Sequence, residues 1–427
     1  MGSLTLGFWA LALLLAAVVL PTSSLAAAVA TPSGGDAADA AAVGIDSTCT
    51  KPYVRKECHP LFPVGGGGET KRNRRRLTID ERKSYIGAVK CMMKKPGVAP
   101  MEAVTNRFED FLATHIVQAL DSHFVGIFYP YHRFLLSRYE QELWECGWDR
   151  GLGQPFWDWT LDVEHDEYLL MSPVFDIETG FGGNGGWIGG NFTNPAPGMV
   201  RSISTTFFIL FFYPPFLLGP TTTSPTNNPP PPQPPVDRPA PPQDVPDRTG
   251  GGCLQNGPFA DLSTFLGPHN NTDKKKGRNC VRRDLAPASL RNMSGPARVA
   301  EAMRLPDYGH WERVTDGATL HPGGHWGVGG LYGSMTDLWA SPADPVFWLH
   351  HSNLDRAWWS WQTRDPAHIY DISGPLVFFD YANEKAGNLT LDATVWNGLG
   401  DYRKEATVEQ LMHIRRGALC YTFDELY

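Results

Sequence analysis

Seven of the thirteen histidines fall into two groups that lie far apart along the chain. The first group comprises His115, His123 and His132, and the second comprises His321, His325, His350 and His351. Neutral imidazole is a ligand for copper, zinc, iron and nickel, whereas magnesium and calcium prefer carboxylate and carbonyl oxygen. Two triads of imidazole therefore predict two adjacent transition-metal ions, and a fold that brings the two groups together.

The second group ends on a predicted helix. Asp344 is a favourable N-cap residue, and Pro345 fits the first helical position. Phe347, His351 and Asp355 follow at four-residue spacing, which places them on one face. We expect Phe347 to wall the metal site and Asp355 to accept a hydrogen bond from the second ring nitrogen of His351. The alternative interpretation is an ordinary amphipathic helix.

His321 and His325 are four residues apart, so their rings lie on one side if a helix begins at His321. Pro322 fits the first turn of such a helix. Gly323 and Gly324 are poor helix formers, and the alternative is a glycine-rich loop with two incidental histidines.

The first group begins on a stretch with helical periodicity, in which His115 lies on the apolar stripe. His123 follows in a predicted loop, and His132 opens a second periodic segment. A buried histidine needs a hydrogen-bond partner or a metal ion. A core histidine with a satisfied ring is the alternative at each position.

Residues Asp344–Asp355 match the second copper signature of the coupled binuclear copper proteins throughout. The sequence thus resembles that family, which comprises tyrosinases, catechol oxidases and hemocyanins. The first copper signature is looser, because Tyr129 and Tyr131 stand where Leu or Pro, and Trp or Phe, are usual. The resemblance is to secreted fungal tyrosinase-like proteins and covers most of residues 49–427.

This resemblance implies two copper ions, with O2 as co-substrate and a small phenolic substrate. By position it assigns His115, His123 and His132 to the first copper, and His321, His325 and His351 to the second. His350 precedes a ligand and is expected to support the site without binding metal. The implied reaction is the oxidation of o-diphenols (catechols) to o-quinones.

Hydroxylation of monophenols is expected to be weak or absent. In the family, an Asn after the first ligand of the second copper is proposed to act with an acidic residue as a base, and Pro322 stands there. The acid is Glu312 or Asp316, and either is equally a solvated charge at a helix end. Asp121 occupies the position of a Cys that forms a thioether in many members, which excludes that crosslink.

Two bulky residues, Leu338 and Trp339, are candidates for controlling substrate access, with core packing as their alternative role.

Three alternatives to a catechol oxidase remain open: a full tyrosinase with monophenolase activity, a reversible O2 carrier and an inactive family member. The chain ends with the string ALCYTFDELY, which resembles the family, so we expect no carboxyl-terminal shielding domain and an open site.

The placement of the histidines predicts a mainly α fold, a four-helix bundle around the dicopper site with long loops and little β-structure. The chain has 427 residues, of which 42% are hydrophobic, enough for a sizeable core. Its formal net charge of -8 argues against nucleic acid as a partner. The oligomeric state is left open.

Five segments are predicted from composition and resemblance. These are a signal peptide at 1–27, a low-complexity linker at 28–48, the tyrosinase-like copper domain at 49–427, and within it a Pro-rich insertion at 200–246 and a smaller one at 62–75. The Pro-rich tract is predicted to be extended and unpacked, and a retained intron would explain it. The first segment indicates a secreted, extracellular protein with no stable membrane partner, with a signal anchor as the alternative.

Seven cysteines predict disulfides with one thiol left over. The resemblance suggests Cys58 as the free thiol, because Trp is usual at that position. The other six cysteines allow about fifteen pairings. Four N-glycosylation sequons also agree with a secretory route, at Asn191, Asn270, Asn292 and Asn388.

Overall fold

The computed structural model describes Cys49 and residues 52–58, 76–188, 249–417 and 419–427. The predicted signal peptide, the linker, both insertions and the sequon at Asn191 lie outside these residues. Within the described ranges, every helix is too short or too polar to cross a membrane.

The described chain is mainly helical, as predicted, with ten α-helices joined by long connections. They are α1 (Ile79–Met92), α2 (Arg107–Ser122), α3 (Phe128–Glu145), α4 (Asp166–Met171), α5 (Pro287–Ser294), α6 (Pro296–Ala302), α7 (Tyr308–Gly317), α8 (Leu320–Gly329), α9 (Val346–Gln362) and α10 (Val408–Met412). The histidines lie on or next to α2, α3, α8 and α9. The prediction of a helical fold around these four segments is confirmed.

The β-structure of the described residues is limited to four two-stranded sheets. In the first sheet, β1 (Tyr53–Arg55) pairs in parallel with β8 (Tyr421–Phe423). The other three sheets are antiparallel, and they pair β2 (Gly185–Trp187) with β3 (Gly251–Leu254), β4 (Ser263–Thr264) with β5 (Asn279–Cys280), and β6 (Thr394–Asn397) with β7 (Lys404–Thr407). The β1–β8 pair joins the two ends of the described chain. These short sheets fasten loops and leave the core to the helices.

Helix α9 is the central element of the core, because all 17 of its residues are buried. A helix that is buried on every face differs from the amphipathic helix considered as the alternative. It begins at Val346, one residue later than predicted, and Pro345 precedes it. Asp344 still accepts the amide hydrogen bond of Val346 at 3.1 Å. Arg283 pairs with the same carboxylate at 2.7 Å.

A buried charge network ties α9 to α3 and β1. Arg55 contacts Glu140 at 2.7 Å and Asp355 at 2.6 Å, and Arg133 contacts the second oxygen of Asp355 at 2.6 Å. Tyr421 of β8 also donates to Asp355. Because each charge is paired inside the core, the network orients the elements that meet there.

The cysteines pair in a way that the sequence left open. The disulfides are Cys49–Cys420, Cys91–Cys146 and Cys253–Cys280. Cys58 is a buried free thiol, as expected. The first disulfide lies beside the β1–β8 pair, so a covalent link reinforces the junction between the two ends.

Replacing Asp355 with Ala tests the charge network. We expect the free energy of unfolding to fall by about 3–5 kcal/mol, because two buried arginines lose a partner. Denaturant unfolding monitored by tryptophan fluorescence measures this change. Glu145→Ala is the control, because it breaks an exposed pair with Arg150 at 2.9 Å and should cost less than about 1 kcal/mol. Similar losses in the two variants would contradict the role of Asp355.

Candidate dicopper site

The histidines of the first group come from two helices and the connection between them. His115 lies midway along α2, His123 is the C-cap residue of α2, and His132 lies one turn into α3. His123 is therefore in the connection, where the sequence predicted a loop. Asn106 caps the start of α2 by accepting from the amide of Glu109 at 3.1 Å, which fixes where the helix begins.

The second group comes from α8 and α9. His321 and His325 lie one turn apart on α8. The prediction that the glycine-rich string is helical is therefore confirmed, and the alternative of a loop is wrong. Gly323 and Gly324 are in this helix because it packs too closely for larger residues. A Cβ at Gly323 would overlap Ser294, and one at Gly324 would overlap the ring of His350.

The structure brings the two groups next to each other. Within each group, one ring nitrogen per histidine lies within 4.8 Å of the others. Between the groups, the rings of His132 and His351 stack with centroids 4.3 Å apart, and those of His123 and His321 are 5.5 Å apart. Two clusters of nitrogen donors are thus adjacent in a buried space.

Main-chain carbonyls fix the orientation of five of the rings through Nδ1. A carbonyl oxygen can only accept, so each Nδ1 must carry the proton and Nε2 must present its lone pair. The pairs are His115 with Trp339 at 2.7 Å, His123 with Ala119 at 2.8 Å, His132 with Phe128 at 2.8 Å, His321 with Asp316 at 3.0 Å and His325 with Met335 at 2.5 Å.

The Nε2 atoms fit metal ions. Those of His115, His132 and His321 are buried and have no hydrogen-bond partner among the described residues, a costly state that an ion relieves. The Nε2 atoms of His325 and His351 lie 3.1 Å apart. Metal–imidazole bonds of about 2.0–2.1 Å place two ligands of one ion roughly 3 Å apart. A donor set of imidazole alone suits copper.

Burial favours the neutral form of five of these imidazoles. It lowers the pKa of His115 to about 4. Burial, together with repulsion between neighbouring rings, lowers the pKa of His123, His132, His325 and His351 well below the ordinary value. Neutral rings keep the lone pairs that a metal ion requires.

His350 lies in the second group, but both of its ring nitrogens are engaged in hydrogen bonds. Trp159 donates its indole N–H to His350 Nδ1 at 3.0 Å, so Nε2 carries the proton and donates to the carbonyl of His321 at 3.0 Å. This arrangement leaves no lone pair for a metal ion. Sequence spacing gave no signal for Trp159, which is far along the chain from both histidines.

Asp355 does not accept a hydrogen bond from His351, and that prediction was wrong. Its oxygens bind Arg55 and Arg133 in the buried network, and His351 Nδ1 has no partner within the described ranges. Phe347 stacks on His351 with centroids 4.1 Å apart and meets the ring of His115 at 5.2 Å. The helical spacing predicted that Phe347, His351 and Asp355 share a face, but it could not predict the direction of each side chain.

A small open pocket leads to the histidines, and its wall includes Pro322, Phe124 and Leu338. Trp339 is not part of this wall. Its ring lies 6.0 Å from that of His269, and its carbonyl binds His115. Trp339 therefore contacts the site through its main chain, and control of substrate access by its side chain stays a prediction.

The two candidate acids are both buried, but only Asp316 lines the pocket. One of its oxygens accepts the amide of Phe124 at 2.6 Å, and the other lies 2.9 Å from His321 Nδ1. Glu312 lies in the wall of a different pocket. Burial and repulsion from Asp316 raise the pKa of Glu312 well above its ordinary value, which favours the protonated carboxyl group.

Comparison with known proteins identifies the family. Residues 105–364 match the common central domain of tyrosinase. The chain belongs to the tyrosinase family. Tyrosinase-like protein phomQ1 of Diaporthe leptostromiformis is 28% identical over 391 residues, covering 88% of this chain and 78% of that protein. Tyrosinase P of Aspergillus terreus is 29% identical over 373 residues, covering 81% and 89%.

A solved structure shares the fold of this tyrosinase-family chain. It is a polyphenol oxidase variant from Thermothelomyces thermophila, with 25% identity and a TM-score of 0.62 over 87% of this chain and 88% of that one. Family membership and the two histidine clusters make the protein a tyrosinase-family copper-dependent oxidoreductase with a binuclear site.

Copper content of single variants tests the ligand assignment. His132→Ala and His351→Ala should lower copper well below two ions per chain and abolish catechol oxidation. His350→Ala should keep more of both, because His350 supports His321 without presenting a lone pair. His310→Ala, at an exposed position, is the control. Complete and equal losses in all three site variants would refute the assignment of His350.

Gly324→Ala tests the close packing of α8. The new methyl group should displace the His350 ring and move His321, weakening copper binding by about 10–100-fold, as for other residues that orient ligands. Gly87→Ala in α1 is the matched control, because nothing lies within 4 Å of its added Cβ. That control should bind copper normally. Competition with a copper chelator measures both affinities, and normal binding by Gly324→Ala would contradict the argument.

Proposed function

We propose that this enzyme oxidises o-diphenols to o-quinones with O2, with weak or absent monophenol hydroxylation. The proposal rests on one observation: two clusters of buried histidines lie side by side, with the rings of His132 and His351 stacked 4.3 Å apart. His115, His123 and His132 would hold one copper, and His321, His325 and His351 the other. The bound copper pair supplies redox chemistry, taking electrons from the catechol and delivering them to O2.

The overall reaction balances with two catechols for each O2. Every catechol loses two electrons and two protons, and the O2 gains four of each to become two waters. The protein holds the imidazoles in place through their Nδ1 hydrogen bonds. Phe347 packs against His351 and His115, which excludes water from that side of the rings.

Three features of the pocket support diphenol over monophenol oxidation. Pro322 offers no side-chain amide to hold a water molecule. Asp316 is fully buried, with one oxygen on the amide of Phe124 and the other 2.9 Å from His321 Nδ1, so a phenol has little access to it. The raised pKa of Glu312 favours its protonated form, and Glu312 lines a different pocket. A catechol needs less help from such a base, because its oxidation removes electrons and protons without inserting an oxygen atom.

The pocket favours a small phenol with an apolar substituent. Phe124, Pro322 and Leu338 supply apolar surface at its wall. Asp337 also lines it, but its oxygens accept main-chain N–H groups of His269, Trp339 and Ala340. An extracellular location is part of the proposal, and the three disulfides support it, because such bonds persist in oxidising compartments.

Oxygen uptake by the copper-loaded protein tests the proposal. We expect rapid uptake with catechol and at least about tenfold slower uptake with tyrosine, a difference of about 1.4 kcal/mol in barrier. Pro322→Asn should raise the rate on tyrosine, because it restores an amide beside the pocket. Pro322→Ala is the control, since it removes the ring without adding an amide. Equal wild-type rates on both substrates would instead indicate a full tyrosinase.

A further inference from the structure

A second pocket, of about 230 Å³, lies apart from the one that leads to the histidines. Its wall includes Glu312 and Arg313 of α7, and Tyr381, Asn383 and Asn388 from the loop before β6. A pocket of this size has room for a single sugar ring.

Two polar atoms of this pocket are buried without hydrogen-bond partners. They are the hydroxyl of Tyr381 and the amide oxygen of Asn383, counting partners among the described residues. Glu312, which is only 1% exposed, shares a hydrogen bond with Asp316. Leaving a buried polar group unpaired costs about 1–3 kcal/mol, so these atoms favour a polar occupant. Arg313 stacks on the Tyr381 ring at 4.9 Å, which holds that aromatic face at the pocket.

Asn388 connects this pocket to a glycosylation signal, because it begins the sequon that ends at Thr390. Its side chain is exposed, and its Oδ1 accepts from Asn383 at 2.6 Å. This bond orients the amide and involves the oxygen, not the Nδ2 atom to which a glycan attaches. The main chain is anchored there, since Leu389 donates to the carbonyl of Gly374 at 2.8 Å.

We propose that Asn388 carries an N-linked glycan and that the first N-acetylglucosamine lies in this pocket. During transfer, Asn388 Nδ2 bonds to the anomeric carbon of a lipid-linked oligosaccharide, the lipid pyrophosphate leaves, and the amide loses one proton. The sugar's hydroxyl and acetamide groups then form hydrogen bonds with the Tyr381 hydroxyl and the Asn383 amide oxygen. A tethered sugar binds at high effective concentration, so modest contacts suffice.

The other described sequons lack this environment. Asn270 and Asn292 are also exposed, but neither lines this pocket. The sequon residue Ser294 is buried at the end of α5 and donates to the carbonyl of Leu320.

The test uses the full chain secreted from a filamentous fungus. Thr390→Val removes the sequon with little change in shape, and Thr390→Ser keeps it as the matched control. Mass spectrometry should find a glycan on Asn388 in the wild type and in Thr390→Ser. Thr390→Val should unfold about 1–3 °C lower than Thr390→Ser. Wild-type protein trimmed enzymatically to one N-acetylglucosamine should keep the higher unfolding temperature.

Tyr381→Phe separates contact with the sugar from a general effect of glycosylation. Removing the hydroxyl should lower the unfolding temperature in the Thr390→Ser background and have a smaller effect in the Thr390→Val background, because only the first carries the sugar. An unmodified Asn388 would overturn the proposal. So would equal unfolding temperatures for the two Thr390 variants, or an equal effect of Tyr381→Phe in both. None of these readouts depends on copper or on phenol oxidation.

Discussion

The hydrogen bonds from histidine Nδ1 to main-chain carbonyls are the interaction on which the site depends. Each of these bonds sets one ring's tautomer and direction, and five of the six proposed ligands have one. For His123 and His132 the acceptor lies four residues earlier in the chain, so the local helix supplies it. For His115 and His325 the acceptor lies in residues 335–339. That segment must dock correctly before either ring is oriented.

The buried charge network explains why α9 can be completely buried and still hold one position. An apolar helix can rotate or slide within a core at little cost, whereas Asp355 loses two arginine partners if it moves. The first ligand trio depends on α3, which contributes Arg133 to the same network. One carboxylate thus keeps the two halves of the site in register, although it contacts no proposed ligand.

Helical spacing was enough to predict the elements that carry the histidines, because a four-residue repeat determines which side chains share a face. It could not choose the partner of Asp355, since a carboxylate on the same face as His351 can bond to any donor that packs against it. One of the donors that bind Asp355 is Arg55, which lies 300 residues away in the sequence. Residue spacing also could not predict the hydrogen bond from Trp159 or the one to the main-chain carbonyl of Trp339. Every residue has a carbonyl group, and a donor far along the chain is not part of a local repeat.

The glycine-rich helix α8 shows how propensity and packing oppose each other at the site. Each glycine in a helix interior costs about 1 kcal/mol relative to Ala, so this sequence is a poor helix in isolation. The same glycines let α8 approach α5 and the ring of His350 more closely than any side chain permits. That approach allows His350 to bond to the carbonyl of His321. The helix therefore owes its stability to its neighbours, and the positions of His321 and His325 follow from its packing.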